Sequence, residues 1–489
     1  MIEIRNFYNG EFHGPVDGRY LDSFAPATGE VHAHVPDSTE ADVNAAVESA
    51  SKAFPAWSKA TRQFRSKCLS RLADLLEARL DEFAQAESQD QGKPVSLAKR
   101  IDIPRAVLNF RFFAENINHL EEKATELDGV AFNYVHRKPC GVAALIAPWN
   151  LPLYLLTWKL APALAAGCTV VAKPSEFTSV TAFMLCSLVV EAGFPPGMCF
   201  AAIYRSGVVN IIFGRGQPAG AALVQHPNVP VISFTGGTAT GESIYRSCVP
   251  KFKKTSLELG GKNANIVFAD CSFEEAIAGS VQAAFTNQGE ICLCGSRIFV
   301  ESTIFPKFLS AFIEKAKQLR MGDPGDPSTD LGALVSLQHL NNVLRYVDIA
   351  RKEGGKIWTG GQRVQMPKFE DGYWMEPTII TELSPSSTCC QQEIFGPVVT
   401  LVPFEGEEQA VEFANGTIYG LSASVWTENG RRAQRVAHQL NVGTVWVNCW
   451  MVRDLHMPFG GVKMSGIGRE GYNYSIRFFT EETAVVLKY

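Results

Sequence analysis

From Gly141 onward short apolar runs alternate with helical segments, and this alternation limits what the chain can fold into more than any other feature. Val142–Ala147, Thr169–Ala172, Val208–Phe213 and Val231–Phe234 read as strands, with helices near Ser179–Ala192 and Gly216–Val224. A second set follows Glu258: strand Asn265–Phe268, helix Phe273–Gln288, strand Ser296–Val300, helix Ile304–Gln318, then Pro397–Phe404 and Thr444–Asn448. Strand–helix alternation is the signature of a doubly wound, mostly parallel sheet. The expected fold class is α/β, with two doubly wound α/β domains and a site in the crevice between them.

At 489 residues the chain has room for about two to four domains. No internal repeat and no low-complexity linker divides it. A net charge of −5 leaves no basic footprint, so neither nucleic acid nor a membrane surface is an expected partner. The N-terminus lacks the basic and apolar regions of a signal peptide, and no apolar run is long enough to span a bilayer. Twelve cysteines without a secretory signal read as reduced thiols, hence a cytoplasmic location. No Cys/His spacing suits zinc, so no metal is expected.

Before Gly141 the reading is simpler. Residues 1–35 suggest one or two hairpins, and Asp37-Ser38-Thr39-Glu40 starts a helix. Leu69, Leu72, Leu75, Leu76, Leu80 and Phe83 form one apolar helical face, and Pro104 opens another helix over 101–120. Ala131–Val142 alternates up to Pro139, and Thr483–Leu487 is a second β-branched run. Two such strands far apart in sequence invite pairing, including pairing between subunits.

Two stretches carry chemistry. Phe285–Arg297 sets Cys292 between Gly289 and Gly295, with Cys294 as a competing nucleophile; Leu257–Lys262 places Glu258 against two glycines. A thiol and an acid in glycine-bracketed loops are the parts of covalent catalysis, although most single cysteines are buried structural thiols. Gly236 and Gly237 sit where the strand Val231–Phe234 turns into a helix, a place where main-chain N–H groups approach a pyrophosphate. Lys173 and Glu176 follow another strand end and suit ribose hydroxyls; an acid there repels a 2′-phosphate and so favours NAD over NADP.

These motifs in combination resemble the NAD(P)-dependent aldehyde dehydrogenases nearly end to end: Pro148-Trp149-Asn150, Lys173–Glu176, Phe234–Gly237, Leu257–Lys262, Asn287–Cys292, Glu393–Pro397 and Pro458–Gly461. The resemblance implies Cys292 as nucleophile, Glu258 as general base and Asn150 as oxyanion donor. It implies Lys173, Glu176, Gly236, Gly237, Glu393, Phe395 and Trp149 on the NAD side. It also implies a Rossmann-like NAD-binding domain over 1–120 and 141–257, a catalytic domain over 258–460, and an arm over 121–140 and 474–489 that makes a homodimer or homotetramer.

Within the family, the chain is most similar to a branch that oxidises carboxylated semialdehydes of tryptophan (kynurenine) breakdown. Asp102–Arg105 with Asn109–Phe113, Asn150–Lys159, Asn287–Cys294, and Asn448-Cys449-Trp450 with Arg453 carry that likeness. It implies that Arg105 and Arg453 hold the substrate carboxylate, a role that planar guanidinium groups fill well. Tyr154, Leu155, Trp158 and Phe459 would line the aldehyde tunnel. The alternatives are an enzyme for retinal or another apolar aldehyde, a catalytically silent relative, and a Cys hydrolase, for which no His is placed.

Two departures stand out. Ten residues, Met198–Gly207, intervene between Pro195-Pro196-Gly197 and Val208-Val209-Asn210, where the family runs straight on. They read as an extended loop, an exposed apolar patch or an isoform segment that bears on cofactor affinity. Glu290 adds a charge near Cys292, which would disfavour the thiolate.

Overall fold

The computed structural model describes residues 1–193 and 207–489. Of the segment 198–207, only Gly207 is among them; the rest, with Pro195-Pro196-Gly197, lies outside the described residues.

Two large sheets form the frame. The first has eight strands in the order Gly466–Ile467, Lys254–Glu258, Val231–Thr235, Val142–Ile146, Thr169–Lys173, Val209–Ile211, Asn6–Tyr8 and Glu11–His13. Its five central strands pair in parallel, and antiparallel strands close both edges. The parallel winding starts in the middle at Val142 and runs outward one way through Thr169 and Val209. It then returns to wind the other way through Val231 and Lys254. That reversal opens a crevice at the carboxyl ends of the central strands, and Lys173, Thr235 and Glu258 stand at those ends.

The second sheet has seven strands in the order Lys356–Thr359, Thr378–Thr381, Val398–Phe404, Arg297–Glu301, Ala264–Val267, Ser422–Trp426 and Thr444–Val447. All its pairs are parallel except the one to Lys356–Thr359. Its central strands are apolar on both faces because helices such as Phe273–Phe285 and Leu337–Lys352 cover them. The strand Gly466–Ile467 carries the chain back to the first sheet, beside Leu257 and Glu258.

The alternating segments anticipated after Gly141 are present within a few residues of their expected bounds. Three details differ. The leucine face is split into helices Arg62–Ala78 and Leu80–Gln91, because Arg79 leaves helical geometry (φ −114°, ψ 23°). The arm strands Ala131–Pro139 and Thr480–Lys488 pair with each other within one chain, in antiparallel register from Pro139↔Thr480 to Ala131↔Lys488; Ala124–Leu127 adds a third strand. Ser422–Trp426, a fully buried strand of Ser, Ala, Val and Trp, had no strand signal of its own and is fixed by its neighbours.

Candidate active site

The thiol loop follows the helix Phe273–Phe285. A tight turn reverses the chain, with Asn287, Gln288 and Gly289 all in the left-handed region (φ 54°, 56° and 73°). Gly289 is required for space as well: a Cβ there would lie 2.2 Å from the Gly396 carbonyl oxygen. The loop is thereby pressed against the Glu393–Pro397 segment, about a hundred residues later in sequence.

Asn287 donates to the Asn150 carbonyl at 3.1 Å, and the Asn150 side-chain amide donates to the Glu290 carbonyl at 2.8 Å. Lys93, itself paired with Asp102 at 2.6 Å, donates to the same Asn150 carbonyl at 3.0 Å. Asn150 is therefore held from both ends against the thiol loop, with one amide N–H still to spend. Asn263 donates to the carbonyls of Cys292 (2.6 Å) and Cys294 (2.9 Å). Cys292 is half-buried, whereas Cys294 is buried in an apolar cluster with Ile291, Leu293 and Trp450. Access separates the two candidate thiols in favour of Cys292. Burial raises the Cys292 pKa well above the ordinary thiol range, with Glu393, Glu258 and Cys294 adding to it and Arg453 opposing it. Burial pushes Cys294 up to about 12.

Glu258 ends the strand Lys254–Glu258 and is 5 % exposed, with one carboxyl oxygen unpartnered. Burial first, and then the neighbouring Glu470, raise its pKa well above the carboxylate range; Lys159, Arg453 and Arg469 pull the other way. Room for this carboxyl depends on Gly460, where a Cβ would come within 2.7 Å of Glu258 Oε1. Glu470 had no role in the sequence reading. It accepts from Trp158 Nε1 at 2.6 Å and pairs with Lys159 at 3.1 Å. The Gly468-Arg469-Glu470 stretch gave no signal beyond an acid near a glycine.

Glu290 does not face the thiol as expected. Its fully buried carboxyl turns away to accept from Gln91 Nε2 (2.7 Å) and the Val335 N–H (3.2 Å), where burial favours its neutral form. It is not among the charges that shift Cys292.

The crevice at the first sheet has the features a dinucleotide needs. Helix Thr238–Cys248 begins at Gly237 with no side-chain cap and no acid in its first turn, so its leading N–H groups stand free for an anion. Lys173 is buried at its strand end, donating to the carbonyls of Pro174 and Gly214, with Glu176 at 3.8 Å. Glu393 accepts from the Gly261 N–H at 2.9 Å, and burial raises its pKa to about 7. A Cβ at Gly260 would sit 2.1 Å from Glu393 Oε2 and would displace that carboxylate. Phe395 and Trp149 meet edge-on at 5.3 Å, with His339 5.0 Å from Trp149. Among the described residues no group of three His, Cys, Asp or Glu side chains is placed to hold a metal.

Two cations converge on the rings of Tyr154 and Trp158. Arg105 lies 4.7 Å over the Tyr154 ring and 5.1 Å over Trp158. Arg453 lies 3.7 Å over Phe459 and 5.8 Å over Trp158, and it donates to the Tyr154 hydroxyl at 3.3 Å. Among the described residues, neither makes an ion pair with a carboxylate. One Arg105 nitrogen, Nη2, is buried without a hydrogen-bond partner among the described residues. Burial, and the nearby Arg453, lower the Arg105 pKa. Leu155 is half-buried on the same helix, Pro152–Ala166, as Tyr154 and Trp158. Glu393, Glu258 and Arg453, one from each group of sequence-predicted residues, thus all lie near enough to Cys292 to act on its charge.

Comparison with known proteins shows the family. Residues 14–485 match the model of the aldehyde dehydrogenase family. The chain belongs to the aldehyde dehydrogenase family. It is 51 % identical to the 2-aminomuconic semialdehyde dehydrogenase of Bos taurus, over 100 % of this chain and 99 % of that protein. It is 46 % identical to the 2-hydroxymuconic semialdehyde dehydrogenase of Pseudomonas sp. (strain CF600), over the full length of both. Among solved structures, the indole-3-acetaldehyde dehydrogenase of P. syringae, in complex with NAD+ and IAA, superposes with a TM-score of 0.96 at 37 % identity, covering 100 % of this chain and 97 % of that one. The two-domain α/β architecture of this dehydrogenase family is the fold of the chain.

Proposed function

We propose that this aldehyde dehydrogenase oxidises a muconic semialdehyde, such as 2-aminomuconate 6-semialdehyde, to its acid with NAD. The observation that carries the substrate class is the pair Arg105 and Arg453, which share Tyr154 and Trp158 and, among the described residues, have no carboxylate of their own. A buried cation without a counter-ion is costly, and a substrate carboxylate removes that cost. An apolar aldehyde would leave both charges unmatched.

Cys292 attacks the aldehyde carbon as the thiolate. The remaining Asn150 amide N–H and the Cys292 main-chain N–H receive the developing oxyanion, and preorganised donors of this kind stabilise it most where water is excluded. When bound, NAD supplies the two-electron acceptor that turns the thiohemiacetal into a thioester on Cys292. Glu258 then takes a proton from the hydrolytic water; its buried setting and raised pKa make its carboxylate a strong base. Lys173 and Glu176 hold the adenosine ribose, with Glu176 opposing a 2′-phosphate. Gly236, Gly237 and the leading N–H groups of helix Thr238–Cys248 hold the pyrophosphate. Glu393, Phe395 and Trp149 hold the nicotinamide end, while Tyr154, Leu155, Trp158 and Phe459 wall the aldehyde tunnel. In this reading residues 1–120 and 141–257 bind NAD and 258–460 carry the catalytic thiol.

The arm, 121–140 with 474–489, is assigned to assembly as a homodimer or homotetramer. Support comes from the free outer edge of Thr480–Lys488 and from exposed Phe132, Tyr134, Val486 and Leu487. A cytoplasmic location is supported by the eleven described cysteines, all free. Among the described residues no helix is long and apolar enough to cross a membrane.

The deciding experiment measures NADH formation from 2-aminomuconic semialdehyde, retinal and short uncharged aldehydes. Carboxylated semialdehydes are expected to have the highest kcat/KM. Equal or better turnover of retinal would overturn the substrate reading, and no NADH from any aldehyde would overturn the enzyme reading.

A further inference from the structure

Arg105 is a long cation held in one place, and what holds it is not an acid. Its Nε donates to Asn109 Oδ1 at 2.8 Å, while its Nη2 has no partner among the described residues. Asn109 is fully buried on the same helix, Ile103–Asn116, one turn further on. Its Nδ2 donates to the Tyr154 carbonyl and to Thr157 Oγ1, both at 3.1 Å, on the facing helix Pro152–Ala166. Those two acceptors settle the orientation of the amide: its nitrogen is spent on them, and only Oδ1 is left for the guanidinium.

The aromatic surfaces beneath the cations are fixed independently. Glu470 holds the Trp158 indole through its side chain, and its main chain exchanges two hydrogen bonds with Phe459, at 2.8 and 2.7 Å. Asn109 is the acceptor at Arg105 Nε, the Tyr154 side chain is a further polar contact of the guanidinium, and neither is a carboxylate. An aspartate of the same shape would also accept from Nε, but it would give Arg105 a permanent counter-ion. It would also set a carboxylate oxygen against the Tyr154 carbonyl.

We propose that Asn109 is a specificity-determining positioning residue: it aligns Arg105 through an uncharged acceptor and so leaves the guanidinium charge and its Nη end available for a substrate carboxylate. This rests on the carboxylate-clamp reading above.

The test uses the full-length enzyme at saturating NAD, with 2-hydroxymuconic semialdehyde and hexanal compared for wild type, Asn109→Leu, Asn109→Asp and Arg105→Met. Asn109→Leu is expected to raise KM for the semialdehyde about ten-fold, the scale of one hydrogen bond to a charged group, with kcat and hexanal turnover within about two-fold. Asn109→Asp should raise that KM further, and the loss should shrink as pH falls and the new carboxyl protonates. A purely structural role would instead depress both aldehydes together and show no such pH recovery. Asn109→Ser, which keeps a polar group, replaces Asn109→Leu if the latter fails to fold. The proposal is overturned if Arg105→Met raises the semialdehyde KM while every Asn109 variant leaves it unchanged, or if the Asn109 variants lower both substrates equally. If Arg105→Met itself leaves KM unchanged, the clamp reading falls and this inference with it.

Discussion

The thiol loop packs with Phe459, over which Arg453 lies, yet the loop and the arginine pair are built in opposite ways. The thiol loop is a continuous stretch. Its shape comes from consecutive residues, Asn287, Gln288 and Gly289, in left-handed conformations, and its nucleophile lies three residues further on. The cationic pocket has no continuous stretch: Arg105, Tyr154, Trp158, Arg453 and Phe459 come from three separate parts of the chain. The loop is closed by backbone contact, such as Gly289 against Gly396. The pocket is closed by side chains stacking on side chains. Backbone contact tolerates no added atom, whereas stacked side chains tolerate exchange. On the proposed function, chemistry is thus the rigid half of the site and substrate choice the adjustable half.

That contrast is broken most severely at the nucleophile. Cys292→Ala is expected to lower kcat by roughly 10⁴-fold or more, as removal of a covalent nucleophile does, for every aldehyde tested. Cys294→Ala should leave steady-state NADH formation within a few-fold of wild type. If Cys294→Ala were the silent variant and Cys292→Ala active, the assignment from access to the crevice would be wrong. Next, Asn150→Ala should cost about 10²–10³-fold in kcat, the usual loss for one oxyanion donor. Rates with carboxylated and uncharged aldehydes should fall alike, and a loss confined to one class would place Asn150 in substrate binding instead.

The adjustable half responds differently. Arg453→Met should raise KM for a carboxylated semialdehyde about ten- to a hundred-fold, the range for lost charge-assisted bonds, while hexanal turnover changes little. A uniform fall in kcat would show that Arg453 acts chiefly through its field on Cys292 and Glu258.

The smallest effect concerns pH. Glu393 titrates at about 7 in the fold, above its ordinary carboxyl value, because burial disfavours its charge. A carboxyl raised in the folded state contributes its full stability below the unfolded pKa and loses it as pH rises through the folded one. Stability should therefore decline between about pH 4.5 and 7 on account of this group. Glu393→Gln should flatten that part of the melting profile by about 1–2 °C. A steeper profile in the variant would contradict the direction of the shift.

Much of the frame was legible because short apolar strands and amphipathic helices follow local rules. The turns at Gly236–Gly237 and Gly289 were legible too, since glycine marks places where backbone must approach backbone. Ser422–Trp426 was not, because a strand of Ser, Ala and Trp is stabilised by its neighbours and not by its own propensity. Glu290 was misread because its position beside Cys292 in sequence says nothing about which way its side chain turns. Glu470 and Lys159 were missed as working residues for a related reason: each acts through a partner that the fold brings from far away. Asn109 was missed because the acceptors that orient its amide, Tyr154 and Thr157, lie on a distant helix.

The sequence by itself determined the α/β class, the thiol and acid loops and the glycines they cannot do without, because these rest on local geometry and on residue types with no substitute. Only the tertiary structure decided that Cys292 has access while Cys294 is buried, that Glu258 sits beside Glu470, and that Arg105 and Arg453 share one pocket without a counter-ion. Exposure, proton affinity and unmatched charge are properties of surroundings, and surroundings exist only once the distant parts of the chain have packed together.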